Sequence, residues 1–316
     1  MQTIQAIIFL ILGFILLIKG ADFFVDGSSS VARRFRVPSL VIGMTIVAMG
    51  TSLPELSVSV AASASGSNSL AVSNVVGSNL FNLMVVLGAS AILSQLSVSR
   101  DVLRRDYPFS VFCMVMLLAL GLHGMELTRG DGIAFLAIFV VFLALMVRSA
   151  LAGRSEENEE GGDDAQESGS ILKDILFIIG GAVAIKFGGD WVVNGAVVIA
   201  RQLGVTETLI GLTIVACGTS LPELVTSMVA ARKNELDMAV GNVIGSNIFN
   251  VLLILGTAAA ISPIPFLREN MIDIFVLLAF SLLTWIFCVT KKQIGKREGA
   301  AMVALYVVYL IYICLR

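Results

Sequence analysis

The sequence predicts an all-α integral membrane protein of ten transmembrane helices, arranged as two inverted five-helix repeats. Three observations carry that expectation. The 316 residues are 57% hydrophobic, only 14% charged, and have a mean hydropathy of +0.93, whereas an average soluble domain carries about 25% charged residues. Apolar stretches long enough to span a bilayer recur from one end of the chain to the other. A 46-residue segment of the first half returns, ungapped, in the second. This composition excludes a soluble enzyme and a disordered chain. Long continuous apolar runs without strict alternation speak against a β-barrel.

Windows of ~19 residues place apolar segments near 3–23, 38–63, 70–94, 107–123, 131–150, 171–192, 205–231, 238–261, 271–290 and 299–315. The first has no basic n-region or A-x-A site, so it reads as a mature span rather than a signal peptide. Counting Lys and Arg by loop gives roughly 15 on one side and 4 on the other. The positive-inside rule then predicts N-out and C-out. The polar stretch 152–170, with Glu156, Glu157, Glu159, Glu160, Asp163, Asp164 and Glu167, reads as a solvated cytoplasmic linker. It divides the chain into halves 1–151 and 171–316. The four cysteines are widely spaced without a CxxC, so no disulfide framework, zinc site or redox role is read from them.

Residues 43–88 and 211–256 are identical at about 25 of 46 positions at an offset of 168. Identity is concentrated in polar and helix-breaking residues rather than in generic Leu and Val. Five spans separate equivalent positions. Five is odd, so the second copy enters the membrane from the opposite face. Inverted repeats of this kind place a binding site at the bilayer midplane.

Both copies contain GTSLPE, as Gly50–Glu55 and Gly218–Glu223, in the middle of an apolar span. A carboxylate at that depth is costly and marks a functional site. No Lys or Arg lies near Glu55 or Glu223 within these spans, so their partner is the other carboxylate, a proton or a bound cation. Pro54 and Pro222 free the carbonyls of Gly50 and Gly218. Broken helices at membrane depth are tolerated where they line a cavity. Thr51 and Ser52 fall on the face of Glu55, as Thr219 and Ser220 do for Glu223. The following helices add polar stripes, Asn74, Ser78 and Asn82 in one copy and Asn242, Ser246 and Asn250 in the other. Ser78, Asn82, Ser246 and Asn250 are expected to coordinate ions, whereas Asn79 and Asn247 fall on another face and are assigned to helix packing. Gly77, Gly88, Gly245 and Gly256 are expected at close helix contacts. The ligand set is all oxygen, which suits Ca²⁺, Na⁺ or Mg²⁺, and a flexible multi-oxygen site suits Ca²⁺ best. Two carboxylates balance one Ca²⁺ or two Na⁺.

GTSLPE followed by GSNxFN, present twice and inverted, closely resembles the α-repeats of the cation/calcium exchanger (CaCA) superfamily, in its sodium/calcium exchanger branch of compact prokaryotic type. The resemblance implies that Glu55 and Glu223 are the core Ca²⁺ ligands. It also implies that Thr51, Ser52, Ser78, Thr219, Ser220 and Ser246, with the carbonyls of Ala48 and Ala216, contribute to Na⁺ and Ca²⁺ sites. The first and sixth helices would slide across the other eight. Asn250 stands where potassium-dependent members carry an acid, so the resemblance is to the potassium-independent type.

The expected function is Na⁺/Ca²⁺ antiport by alternating access, in a prokaryotic plasma (inner) membrane. Ca²⁺ and Na⁺ are then substrates rather than cofactors, the bilayer is the only other partner, no nucleic acid is involved and the monomer suffices. A Ca²⁺/H⁺ antiporter using the same carboxylates is the near alternative, and a cation channel a distant one. Ser52 and Ser220 have no His or Lys base within the spans, which argues against an enzyme. Asp22, Asp26 and Asp190 are expected near helix ends, facing water or lining an ion path. His123 reads as a solvated loop residue and Cys217 as a packing residue.

Overall fold

The computed structural model describes residues 2–64, 71–159, 170–206 and 210–315. It is an all-α membrane protein. Among the described residues, seven helices are long and apolar enough to cross a bilayer, and a bent helix pair makes an eighth.

The chain opens with α1 (Gln2–Phe35), followed by the bent pair α2 (Ser39–Thr51) and α3 (Leu53–Ala64), which meet at 49°. Then come α4 (Ala71–Leu93), α5 (Val102–Leu122) and α6 (Arg129–Glu159). The second half starts with α7 (Ile171–Gln202), capped by the Ser170 hydroxyl, which accepts from the Leu172 amide at 3.3 Å. Two short pieces, Gly211–Val215 and Ala216–Gly218, form α8, and α9 (Leu221–Arg232) follows. The chain closes with α10 (Leu236–Ile261), α11 (Arg268–Lys291) and α12 (Lys296–Leu315). The acidic segment expected as a linker at 152–170 is helical up to Glu159, and 160–169 lies outside the described residues.

The first helix is longer than the apolar run 3–23, and the reason is charge pairing. Lys233, just beyond α9, lies 3.5 Å from Asp22 and 2.7 Å from Asp26. With these partners the acids are accommodated inside α1, so the helix continues through them. Asp190 likewise lies within α7, paired with Lys186 at 2.7 Å.

Two pairings relate the halves. Antiparallel strand pairs join β1 (Leu96–Ser97) to β4 (Gln293–Ile294) and β2 (Glu126–Leu127) to β3 (Ile264–Pro265). Each pair takes one strand from each half. Second, α1 lies antiparallel along α7: Gly13 sits against Gly188, Gly20 against Gly181, Gly27 against Asp174 and Gly195 against Ala6. Small residues at seven-residue intervals let the two backbones touch, as small-residue stripes do between membrane helices.

The centre of the molecule is α4 and α10, whose most apolar stretches are 78% buried against 22% for α6 and α12. α6 and α12 carry large exposed apolar side chains such as Val140, Leu145, Val308 and Ile311, which suit lipid. Close contacts are found at three of the glycines expected to provide them. A Cβ on Gly88 would lie 2.9 Å from the Gly299 carbonyl oxygen, one on Gly245 2.7 Å from Met44 Cα, and one on Gly256 3.1 Å from Phe135 Cβ. Around Gly77 no atom of the described residues lies within 4 Å of that position.

Candidate ion-binding site

The chain breaks α2 from α3 at Ser52 (φ −86°, ψ 5°) and α8 from α9 at Ser220 (φ −94°, ψ 8°). The cause is local. Pro54 and Pro222 have no amide hydrogen to continue the ladder, and proline is favoured in the first turn of the helix that restarts. The break brings Ser52 and Glu55, and Ser220 and Glu223, to the buried centre, where both carboxylates are 1% exposed.

There the two motifs cross. The Ser52 hydroxyl donates to Glu223 Oε1 at 2.9 Å, and the Ser220 hydroxyl to Glu55 Oε1 at 3.5 Å. Ser52 also reaches Ser246 at 3.1 Å, and Ser220 reaches Ser78 at 3.3 Å. Each glutamate is therefore held by the serine of the other repeat. Ser78 and Ser246 come from the central helices α4 and α10, beside Asn82 and Asn250, where each helix widens into π-helical turns at Asn82–Val86 and Asn250–Leu255. Such turns recur at functional sites.

Four acceptor oxygens of these residues are buried without a hydrogen-bond partner among the described residues: Glu55 Oε2, Glu223 Oε2, Asn82 Oδ1 and Asn250 Oδ1. A buried unpaired carboxylate oxygen is expensive. Four unpaired acceptors, among hydroxyls that can turn their lone pairs inward, form an all-oxygen set that a hard cation would suit. The site gathers charge from two carboxylates only, and among the described residues no group of three or more His, Cys, Asp or Glu converges. Of the carbonyls expected to contribute, that of Ala48 accepts from the Ser52 amide at 3.1 Å and lies 3.3 Å from the Thr51 hydroxyl. Ala216 opens the short turn Ala216–Gly218.

The two threonines differ, although their motifs are identical. Thr51 donates to Asn242 Oδ1 at 3.2 Å, and Asn242 donates to Ser227 at 2.9 Å. On the other side Thr219 Oγ1, Asn74 Nδ2 and Ser59 Oγ have no partner among the described residues. A cavity of about 120 Å³ lies on that side, lined by Pro54, Lys186, Asp190, Gly218, Thr219 and Pro222 among others. The two glycines of the breaks are both covered: the Phe24 ring packs on Gly50, 2.6 Å from where a Cβ would lie, and the Val193 side chain packs closely on Gly218. Asp190, paired with Lys186, lines this cavity, and Asp22 and Asp26 are paired with Lys233. His123 caps the end of α5, and Cys217 lies 3.9 Å from the Tyr306 hydroxyl.

Asn79 and Asn247, assigned to packing, do join α4 to α10, but they also bond to Asn250 and Asn82. Nothing in helical periodicity announces those bonds, because they depend on the crossing of two helices.

Comparison with known proteins agrees with this architecture. The family described as "Sodium/calcium exchanger protein" matches residues 5–148 and 173–315. The inner membrane protein YrbG of Escherichia coli strain K12 is 35% identical over 310 residues, covering 95% of this chain and 94% of the relative. The sodium/calcium exchanger MaX1 of Methanosarcina acetivorans is 32% identical, covering 98% and 99%. The solved structure of the sodium-calcium exchanger NCX_Mj, soaked with Na⁺ and Sr²⁺, superposes with a TM-score of 0.85 at 32% identity, covering 98% of both chains. Matched along both halves and in three dimensions, the chain belongs to the sodium/calcium exchanger family.

Proposed function

We propose that the protein is a secondary active antiporter that exchanges Na⁺ for Ca²⁺ across the membrane by alternating access. The carrying observation is the cluster of four unpartnered buried oxygens, Glu55 Oε2, Glu223 Oε2, Asn82 Oδ1 and Asn250 Oδ1. Glu55 and Glu223 hold Ca²⁺ and Na⁺ in turn. Thr51, Ser52, Ser78, Thr219, Ser220 and Ser246 complete the shells, with the Ala48 and Ala216 carbonyls. Two Na⁺ or one Ca²⁺ neutralise the two carboxylates. An empty site that keeps its two charges crosses the bilayer interior poorly, and this makes the exchange obligatory. With a neutral amide at Asn250, the site has no third carboxylate for K⁺, and exchange is K⁺-independent.

The architecture behind this reading is ten spans in two inverted five-helix halves, 1–151 and 171–316, joined by the acidic segment 152–170. The antiparallel seam of α1 and α7 and the reciprocal strand pairs β1–β4 and β2–β3 support it. In this reading α7 and the broken pair α8–α9 supply the spans beyond the eight counted above. Both termini face outward, the membrane is the prokaryotic inner membrane, and one chain carries the whole site. Because α7 then rises from the cytoplasmic side, the cavity lined by Lys186 and Asp190 lies in its outer half. In this reading the cavity lies on the outer side of the site, beside Thr219.

The test is ⁴⁵Ca²⁺ uptake into Na⁺-loaded proteoliposomes diluted into Na⁺-free medium, with and without an imposed pH gradient. Uptake requiring internal Na⁺ and indifferent to pH is expected. Uptake driven by the pH gradient alone assigns the same carboxylates to Ca²⁺/H⁺ exchange, and single-channel currents overturn antiport altogether.

A smaller effect is expected at Ser52. Ser52→Ala removes the donor to Glu223, and a hydrogen bond to a charged group contributes ~1.5–3 kcal/mol. The apparent KM for Ca²⁺ should rise by roughly tenfold or more. Ser57→Ala is the control, because its exposed hydroxyl bonds the Leu53 carbonyl of its own helix, away from the glutamates, and it should leave KM unchanged.

A further inference from the structure

The four asparagines between α4 and α10 are all buried: Asn79 and Asn82 are 0% exposed, Asn247 5% and Asn250 1%. Their bonds are reciprocal. Asn79 Nδ2 donates to the backbone carbonyl of Asn247 at 3.2 Å, and Asn247 Nδ2 donates to the backbone carbonyl of Asn79 at 3.4 Å. A backbone carbonyl can only accept, so these two contacts fix which end of each amide is nitrogen. Turning either amide over would set two oxygens against each other. Asn79 also offers its Nδ2 to Met114 Sδ at 3.4 Å, a weak acceptor that agrees with the same orientation.

The fixed end determines the next amide. Asn79 Oδ1 is left as an acceptor and takes Asn250 Nδ2 at 2.9 Å. Asn247 Oδ1 takes Asn82 Nδ2 at 3.3 Å. The nitrogens of Asn250 and Asn82 are thereby held, and their oxygens remain buried and unpartnered. Amide nitrogen and oxygen are otherwise interchangeable in shape, and an amide that turned its NH₂ to a cation would repel it.

We infer that Asn79 and Asn247 are positioning residues for the ion site, each locking the amide of the opposite helix so that only oxygen is offered to the ion. This rests on the antiport reading for what occupies the site. The rule it gives is that an Asn ligand needs this clamp, whereas a carboxylate at the same position does not, having oxygen at both ends.

That difference supplies the test, on the full chain in Na⁺-loaded proteoliposomes, with apparent KM and maximal rate for ⁴⁵Ca²⁺ uptake read separately. Asn79→Ala frees the Asn250 amide and is expected to raise KM about tenfold, with a smaller change in maximal rate. The double variant Asn79→Ala/Asn250→Asp is expected to return to the KM of Asn250→Asp alone. Asn247→Ala with Asn82→Asp forms the mirror cycle and should behave the same way. A helix-stapling role alone cannot give this rescue, because aspartate restores neither lost bond to the backbone carbonyls.

An unchanged KM in both alanine variants overturns the inference. So does a double variant that remains about tenfold above its aspartate reference, or loss of uptake in both aspartate single variants. Failure of both alanine variants to fold, without recovery by aspartate, assigns the four amides to packing and also overturns it. Wild-type uptake without internal Na⁺ would instead refute antiport by Na⁺. The KM comparison would still stand, because it reads Ca²⁺ binding whatever drives transport.

Discussion

Glu55→Gln and Glu223→Gln are each expected to abolish Na⁺-driven Ca²⁺ uptake. The substitution keeps the shape of the side chain and leaves an oxygen to accept from Ser220 or Ser52. What it removes is one of the two negative charges. A carboxylate against a cation at contact distance contributes several kcal/mol even at an effective dielectric near 20. The loss in uptake should therefore exceed about a hundredfold. Ca²⁺/Ca²⁺ exchange at the wild-type rate in either variant would overturn the site. Thermal unfolding gives a second, opposite signature. Without ions, wild type holds two buried carboxylates with no cationic partner, so each Gln variant should unfold at a higher temperature than ion-free wild type. It should also lose most of the rise that Ca²⁺ gives wild type by binding the folded state alone. A variant that simply misfolds would also lose that rise but would unfold below ion-free wild type or show no transition, which separates a lost ligand from a lost fold.

The ingredients of this site are legible in the sequence because membrane burial makes polar residues conspicuous. Two glutamates, two prolines and repeated Ser and Asn stripes stand out from an apolar background. A broken helix at GTSLPE follows from Pro54 and Pro222 alone. The pairing is not legible. Helical spacing puts Ser52 on the same face as Glu55, yet Ser52 donates to Glu223, because the two broken helices cross at the centre. The length of α1 was hidden for a related reason. Lys19, Asp22 and Asp26 read as the end of an apolar run until Lys233, far along the chain, supplies the partner that lets the helix continue. The contrast between Thr51 and Thr219 is also beyond sequence. Two identical motifs cannot show which is engaged and which faces a cavity, since that is a property of one conformation of the molecule.

Adjacent residues on α7 should respond in opposite ways to the same kind of change. Gly181 is buried in the seam, where a Cβ would lie 2.7 Å from both the Gly20 carbonyl oxygen and the Phe24 amide nitrogen. Both neighbours are backbone, so neither can swing aside, and the helices must part. Gly188 is equally tight, 2.6 Å from the Leu17 amide nitrogen. Gly180, one residue earlier, is exposed, with no described atom within 4 Å of its Cβ position. Gly181→Leu is expected to cost about 1–3 kcal/mol or more by overpacking and to lower both the unfolding temperature and the Ca²⁺ uptake rate. Gly180→Ala should leave uptake intact and stabilise slightly, since alanine favours a helix interior over glycine by ~1 kcal/mol. The two variants also test whether α1 and α7 move as one body. If alternating access carries the pair together across the rest of the molecule, Gly181→Leu should slow uptake more than it weakens Ca²⁺ binding, because the seam does not touch the oxygens of the site. Equal uptake and an equal unfolding temperature for Gly181→Leu and wild type would show that the close seam serves neither stability nor transport.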